Sequence, residues 1–159
     1  PKASGTLITN DSERGKIKSI AAKDGITAIK IQSSRMLLAY GFLRRVFEIF
    51  ERYKTPIDMI TTSEVAVSVT IDDTKYLGEI TKELSDFGVV EVDVNQSIVC
   101  VVGDLSTNSH GFGARILESI KHSPLRMISY GGSQHNLSFL IKTEDKVETL
   151  RSLHNRLFE

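Results

Sequence analysis

The order of strand and helix patterns repeats once along this chain, and this repeat constrains the possible folds more than any other feature. From Ile26 to Val94 the patterns run strand, helix, strand, strand, helix, strand. A similar series begins again at Ile98, and Gly41-Phe42 in the first series matches Gly111-Phe112 in the second. Self-similarity of this kind indicates two tandem modules that share one architecture.

Runs of β-branched and aromatic residues predict nine short strands. They cover residues 6–9, 17–21, 26–32, 57–61, 65–71, 89–94, 98–102, 126–129 and 137–141. Apolar residues at helical spacing predict helices that include Phe42, Leu77 and Ile116, and a last helix from about Glu144 to the chain end. We expect Gly88 to end the second helix as its C-terminal glycine.

The second series is one strand short, so an earlier part of the chain must supply the missing edge. The strand at 17–21 or the strand at 6–9 can do this, which places the first module inside the second. We therefore predict an α+β fold of two ferredoxin-like βαββαβ modules, the first inserted in the second. The predicted division is an N-terminal segment at 1–25 that contributes to the second module, a first module at 26–95 and a second at 96–159.

The composition excludes several classes of partner. The 159 residues include 20 basic and 20 acidic side chains, so the chain lacks the basic field expected for nucleic-acid or anionic-membrane binding. No apolar run approaches the ~20 residues of a membrane span. Cys100 is the only cysteine, which favours a reducing, cytoplasmic location. The chain starts at Pro1 without a methionine, and we interpret it as a piece of a longer protein.

Motifs for catalysis or metal binding are missing from the sequence. No glycine-rich phosphate loop occurs, and the glycine-rich run at 110–113 lacks the lysine that such a loop needs. The four histidines have no spacing typical of a metal site. Cys100 lies within a predicted strand, where a buried, inert thiol is expected. We predict no catalytic residues and no metal site in this chain.

Asp58 and the helix start at Gly41 point instead to ligand binding. A helix N-terminus has amide groups without intrahelical partners, and these groups favour a carboxylate. Gly41 lets a ligand approach the backbone, and Ala39 and Tyr40 offer no capping oxygen. Asp58 is an acid in an otherwise apolar strand pattern, which fits either an ammonium ligand or a solvated edge strand.

Four segments of the sequence resemble those of a known protein family. They are GFL at 41–43, IDMITTSEV at 57–65, RMISYGGSQHNLSFLI at 126–141 and LHNRLFE at 153–159. The chain resembles the C-terminal regulatory region of aspartate kinases, most closely the lysine-sensitive monofunctional type. The resemblance covers nearly the whole chain, because GTLI at 5–8 also resembles the segment that leads out of the kinase domain.

The resemblance implies two ACT modules, a homodimer formed through them, and allosteric feedback inhibition by lysine. It places the effector at the dimer interface of the first module. Together with the helix start and Asp58, it gives nine candidate effector-binding residues: Met36, Ala39, Gly41, Phe42, Leu43, Ile57, Asp58, Ser63 and Glu64. Ala39 stands where lysine-sensitive relatives often carry serine, so one hydrogen bond to the effector can be lost.

The resemblance also implies a parent enzyme, an ATP-dependent aspartate kinase of the aspartate pathway that leads to lysine. ATP and Mg would bind in the kinase domain, which this chain lacks, so we expect no cofactor here. The kinase domain of the full-length protein is then a partner of the regulatory modules. Two alternatives remain open: a module that senses threonine or methionine, and a purely structural dimerisation module.

Overall fold

A computed structural model describes residues 17–33, 40–105 and 111–158. These ranges contain six strands, four α-helices and a short 3-10 turn at Thr143–Asp145. The strands are β1 (Ile17–Gln32), β2 (Ile60–Thr62), β3 (Ala66–Ile71), β4 (Val89–Gly103), β5 (Met127–Ser129) and β6 (Asn136–Lys142). The helices are α1 (Phe42–Arg52), α2 (Leu77–Leu84), α3 (Phe112–Ser119) and α4 (Lys146–Leu157). The predicted strand at 6–9 lies outside the described residues.

The sheet has the order β2-β3-β1-β4-β6-β5, and every neighbouring pair is antiparallel. The C-terminal half of β1 pairs with β3, and its N-terminal half pairs only with β4. The N-terminal half of β1 is therefore the missing edge strand of the second module. This confirms the nested ferredoxin-like fold, whereas the division at residues 25/26 and 95/96 stays a prediction.

Two long strands replace four predicted short ones. β1 and β4 each run through both modules, and their pairing shifts register around Lys23–Ile26 and Ile26–Ala28. Gly25 and Asn95 occupy left-handed backbone conformations, with φ of 74° and 56°. In the sequence these residues and their polar neighbours resemble turns, which predicted two separate strands. In the structure, matching irregularities in β1 and β4 let each strand continue.

Each module has its own core beneath its own helices. In the first, Ile29, Ile31, Val67 and Val69 pack under α1 and α2, with Phe50 fully enclosed. The second core forms in the same way under α3 and α4, and its main buried residues are Val99, Val101, Ile116, Leu137, Phe139 and Leu153. Alternate strand residues point to the helices in both modules, as expected for sheets covered on one face.

The faces of the two half-sheets that lie away from the helices pack against each other. Buried apolar side chains from both modules form a third cluster there: Ile26, Ala28, Met59, Ile98, Met127 and Leu140. β2 and β5 contact each other although they are opposite edges of the sheet, so the sheet folds back on itself. An ion pair between Arg126 and Asp93, 2.6 Å long, also joins the modules.

Gly88 does not end α2. The helix ends at Leu84, and residues 85–87 form turns before β4 begins. A Cβ atom on Gly88 would lie 2.3 Å from the carbonyl oxygen of Gln32. The glycine is therefore required by the close approach of two backbones rather than by a helix cap.

Lys23 and Asp24 form ion pairs on the two sides of the module junction. Lys23 contacts acids of the first module, while Asp24 pairs with Lys146 at the start of α4. The buried hydroxyl of Ser97 donates to Asp24 Oδ1 at 2.7 Å. The hydrogen bonds from Lys146 and Ser97 lower the pKa of Asp24 below its usual value.

We expect this junction to make the chain sensitive to acid. A carboxyl whose pKa is lower in the folded than in the unfolded chain stabilises the fold above the unfolded pKa, near 3.8. That stabilisation is lost as the pH falls through the lower, folded pKa. The melting temperature of Asp24→Asn should therefore fall less than that of the wild type between pH 5 and about pH 2. Asp86→Asn, at an exposed aspartate with no ion pair in the described ranges, serves as the control.

Candidate functional site

The start of α1 presents backbone amides at the surface. Gly41 precedes the helix with φ of 79°, has no side chain that could cap it, and is exposed. Phe42 is buried and its ring meets Phe87 edge-on at 6.2 Å, which fixes the first turn. Leu43 is 39% exposed. The first amides of α1 lack intrahelical carbonyl partners, as at any helix N-terminus, and can receive a carboxylate.

Asp58 lies just before β2, not within a strand as the alternation predicted. Its amide donates to the carbonyl of Thr70 at 2.9 Å. The next amide, of Met59, donates to the hydroxyl of Thr70 at 2.9 Å. Because the Thr70 hydroxyl, and not a backbone carbonyl, accepts the Met59 amide, regular strand alternation starts only at Ile60. Ile57 and Met59 therefore enter different apolar clusters.

The carboxylate of Asp58 already receives an ammonium from the same chain. Lys23 Nζ lies 2.7 Å from Asp58 Oδ1 and 2.8 Å from Asp72 Oδ2. The Asp58 side chain is 24% exposed, against 48% for Lys23 and 43% for Asp72. The hydrogen bonds to Asp58 and then Asp72 raise the pKa of Lys23, and Lys23 lowers the pKa of Asp72. Two carboxylates and one ammonium leave this cluster with one net negative charge.

Asp58 and the start of α1 lie at opposite ends of the first module. Thr70, the backbone partner of Asp58, pairs with Ala28 of β1. Phe42 contacts Phe87, next to Gly88, which lies against Gln32 of β1. Gln32 lies four residue steps along β1 from Ala28, a distance of about 13 Å in a strand. The structure therefore does not bring these two candidates together within one chain.

Ser63 and Glu64 lie at the end of the module where α1 begins. They form the turn between β2 and β3, and Ala66 after that turn pairs with Gln32. The amide of Ala66 donates to Ser63 Oγ at 3.2 Å, whereas Glu64 is exposed. Ile57 is half-buried against the first core. Met36 and Ala39 lie outside the described residues.

The second module has a similar helix start but a different charge. Gly111 precedes α3 with φ of 86°. Arg126 occupies the place that Asp58 has in the first module, since its amide donates to Leu140 of the adjacent strand at 2.9 Å. The side chain of Arg126 pairs with Asp93. An ammonium is therefore favoured at this place in the first module and disfavoured in the second.

Within 17–33, 40–105 and 111–158, no group of three or more histidine, cysteine or acidic side chains is arranged to hold a metal ion. Across the same ranges, no helix has the length and apolar character needed to cross a membrane. Cys100 is partly buried and carries a free thiol.

Comparison with known proteins identifies the family. Residues 99–157 match the family model of an ACT domain. A solved structure described as a C-terminal regulatory domain of aspartate kinase, from Porphyromonas gingivalis W83, is 52% identical with a TM-score of 0.81. The match covers 89% of this chain and 97% of that one. The chain belongs to the family of aspartate kinase regulatory domains.

Longer relatives contain this regulatory domain as one part. Lysine-sensitive aspartokinase 3 of Escherichia coli K12 is 35% identical over the whole of this chain. The crystal structure of E. coli aspartokinase III in complex with lysine and aspartate has a TM-score of 0.86 at 37% identity and also covers the whole chain. The chain spans only 37% of each of these proteins.

Sequence reasoning missed the basic partner of Asp58 in this regulatory domain. Lys23 is 35 residues away in sequence, and a lysine in a predicted loop between two strands gives no sign of its partner. Asp72, the other acid of the cluster, follows β3. Only the pairing of β1 with β3, in which Thr27 lies opposite Ile71, brings these charges together.

Proposed function

We propose that this regulatory domain binds lysine between two copies of its first module and thereby mediates feedback inhibition of an aspartate kinase. The observation that carries the proposal is the placement of two complementary groups at the two ends of one exposed edge, β2. A helix start suited to a carboxylate lies near one end, and an acid suited to an ammonium lies at the other. The lysine complex of the E. coli relative supports this choice of ligand.

The β2 edge is suited to pairing with a second copy. β2 is an outer strand of the sheet, and its backbone pairs on one side with β3. Two exposed apolar side chains lie on it or in the turn after it, Ile60 at 42% and Val65 at 38% exposure. An open strand edge flanked by apolar side chains is a typical surface for symmetric association.

A two-fold axis through this edge joins the two halves of the site. When two copies of β2 pair antiparallel, the start of one strand lies beside the end of the other. Asp58 of one copy then approaches Ser63, Glu64 and the α1 start of the other. An extended lysine spans about 8 Å from carboxylate to ammonium by ordinary bond lengths, which is less than the ~13 Å of β1 between Ala28, on the Asp58 side of the module, and Gln32, on the side of the α1 start. The dimer thus explains how the separated groups serve one ligand.

In this arrangement the α-carboxylate, the side-chain ammonium and the aliphatic stem of lysine each have a partner. The α-carboxylate accepts hydrogen bonds from the amides of Phe42 and Leu43, where the helix dipole adds about 0.3–1 kcal/mol. The side-chain ammonium meets Asp58, and Ile57 lines the aliphatic stem. Ser63 and Glu64 lie beside the ligand at the turn.

The regulated activity belongs to the full-length protein. We propose that the parent enzyme is an ATP-dependent phosphotransferase that acts on the aspartate carboxylate, with ATP and Mg in its kinase domain. Lysine at the module interface biases the enzyme only if two arrangements of the dimer contact lysine differently. The kinase domain is then the partner that receives the change.

Calorimetric titration of the 159-residue chain with lysine, threonine and methionine tests the ligand. We expect binding of lysine and much weaker binding of the other two, because a hydroxyl or thioether gives Asp58 no charge to pair with. If threonine or methionine binds more tightly than lysine, that amino acid is the effector and the regulatory role of the domain still stands.

One observation favours a second candidate function, a purely structural dimerisation module. Asp58 already holds the ammonium of Lys23, so its carboxylate has a role that needs no ligand. If none of the three amino acids produces heat and the chain is still dimeric, this second function is the correct one.

We expect a dimer in solution. Light scattering at about 100 µM chain, with and without lysine, should give twice the mass of one chain. A dimer that dissociates at this concentration has a contact free energy weaker than about −5.5 kcal/mol. A monomeric mass under both conditions contradicts the β2 interface and the site that depends on it.

A further inference from the structure

We propose that Lys23 is an internal competitor of the effector: its ammonium occupies the carboxylate of Asp58 that the effector's ammonium must reach. This inference rests on the proposed function, since it concerns the same Asp58. It adds a residue that limits affinity and sharpens selectivity for amino acids with a second ammonium.

Lys23 Nζ already contacts the carboxylate that the effector's ammonium must reach. It lies 2.7 Å from Asp58 Oδ1, the distance of a charge-assisted hydrogen bond. A ligand ammonium that pairs with Asp58 seeks the same kind of contact with the same carboxylate. The two cations therefore compete directly, or share Asp58 at the cost of mutual repulsion.

Lys23 can leave Asp58 and still keep an ion pair. It also contacts Asp72 Oδ2 at 2.8 Å, and its side chain is 48% exposed. Rotation toward Asp72 keeps one partner and turns the ammonium to solvent. Exposed ion pairs contribute little net stability, so displacement by a ligand is inexpensive.

The charge balance of the cluster also favours a ligand that carries an ammonium. Asp58, Asp72 and Lys23 together carry one net negative charge, which a ligand ammonium neutralises. A tethered ammonium acts at an effective concentration of about millimolar or above, so it excludes ligands with weak donors. Threonine and methionine carry an ammonium only on Cα, next to the carboxylate held at the α1 start, so they bring no ammonium to Asp58 and cannot displace Lys23. Lysine can, and this difference is the source of the added selectivity.

Two substitutions with opposite expected effects test the inference. Lys23→Met removes the competitor and should tighten lysine binding about 3- to 10-fold in calorimetric titration. Asp72→Asn leaves Lys23 with Asp58 alone and neutralises the cluster, so it should weaken lysine binding by a similar factor. Lys121→Met removes the same charge from an exposed pair of the same 2.7 Å length in the second module, and should leave affinity unchanged.

The outcomes separate this inference from the proposed function. Melting curves first establish that each variant is folded. If the wild type binds lysine and Lys23→Met binds it equally or more weakly, the inference is overturned while the proposed function stands. If Asp72→Asn strengthens binding, Lys23 does not act through competition and the inference again falls. If neither the wild type nor Lys23→Met binds lysine, the proposed function fails and the inference fails with it.

Discussion

Replacing Asp58 with alanine should weaken lysine binding about 30-fold or more. In the proposed dimer the substitution leaves the ligand ammonium desolvated without its partner, and losing one member of a charge pair buried at an interface costs on the order of 2–5 kcal/mol. Each 1.4 kcal/mol corresponds to about a tenfold change in affinity. Calorimetric titration of the wild type and the variant under the same salt and pH gives the ratio directly. In the full-length enzyme, the same substitution should preserve catalysis and remove inhibition by lysine.

The Asp58→Ala experiment needs a neighbouring aspartate as its control. Asp73 is exposed and its carboxylate accepts the amide of Lys75 at 2.9 Å, away from Lys23. Asp73→Ala should therefore bind lysine as the wild type does. The fold should tolerate Asp58→Ala, because Lys23 keeps its contact with Asp72. Equal affinity of wild type and Asp58→Ala would place the ligand elsewhere, with the α3 start at Gly111 the next candidate.

The nested fold was predictable because it depends on local patterns and on one missing strand. The apolar alternation in residues 26–32 and 65–71 and the helical spacing after Phe42 specify the first module on their own. The second module lacks an edge, and only an earlier strand can supply it. What the patterns could not give is the continuity of β1 and β4, because Gly25 and Asn95 resemble turn residues. Their conformations fit a strand only when the partner strand is also irregular there.

The charges around Asp58 were not predictable, for a related reason. The sequence indicated an isolated acid and an uncapped helix start only 17 residues apart, and suggested that one ligand could contact both. In the fold, α1 runs the length of the module between them, so nearness in sequence becomes separation in space. Lys23 reaches Asp58 only through strand pairing, which local patterns do not specify. A contact between two copies of the chain is harder still to predict, because the pattern of a single chain does not specify it.

Gly88→Ala should destabilise the fold by about 2 kcal/mol or more. The added Cβ would lie 2.3 Å from the Gln32 carbonyl oxygen and 3.0 Å from Ser33 Cβ. The nearest atom belongs to backbone in β1, which cannot rotate away as a side chain can, so the strands must move apart. Overpacking of this kind typically costs about 1–3 kcal/mol. Urea unfolding followed by circular dichroism measures the change in the free energy of unfolding.

Gly78→Ala is the matched control, since it makes the same chemical change within α2. A Cβ on Gly78 meets nothing within 4 Å. Alanine is favoured over glycine in a helix by up to about 1 kcal/mol, so this variant should be neutral or more stable. The contrast separates a steric effect at Gly88 from a general cost of losing glycine. If Gly88→Ala unfolds with the same free energy as the wild type, β1 and β4 can separate there freely. The helix start beside Phe87 would then have a less rigid support than the edge-on contact with Phe42 suggests.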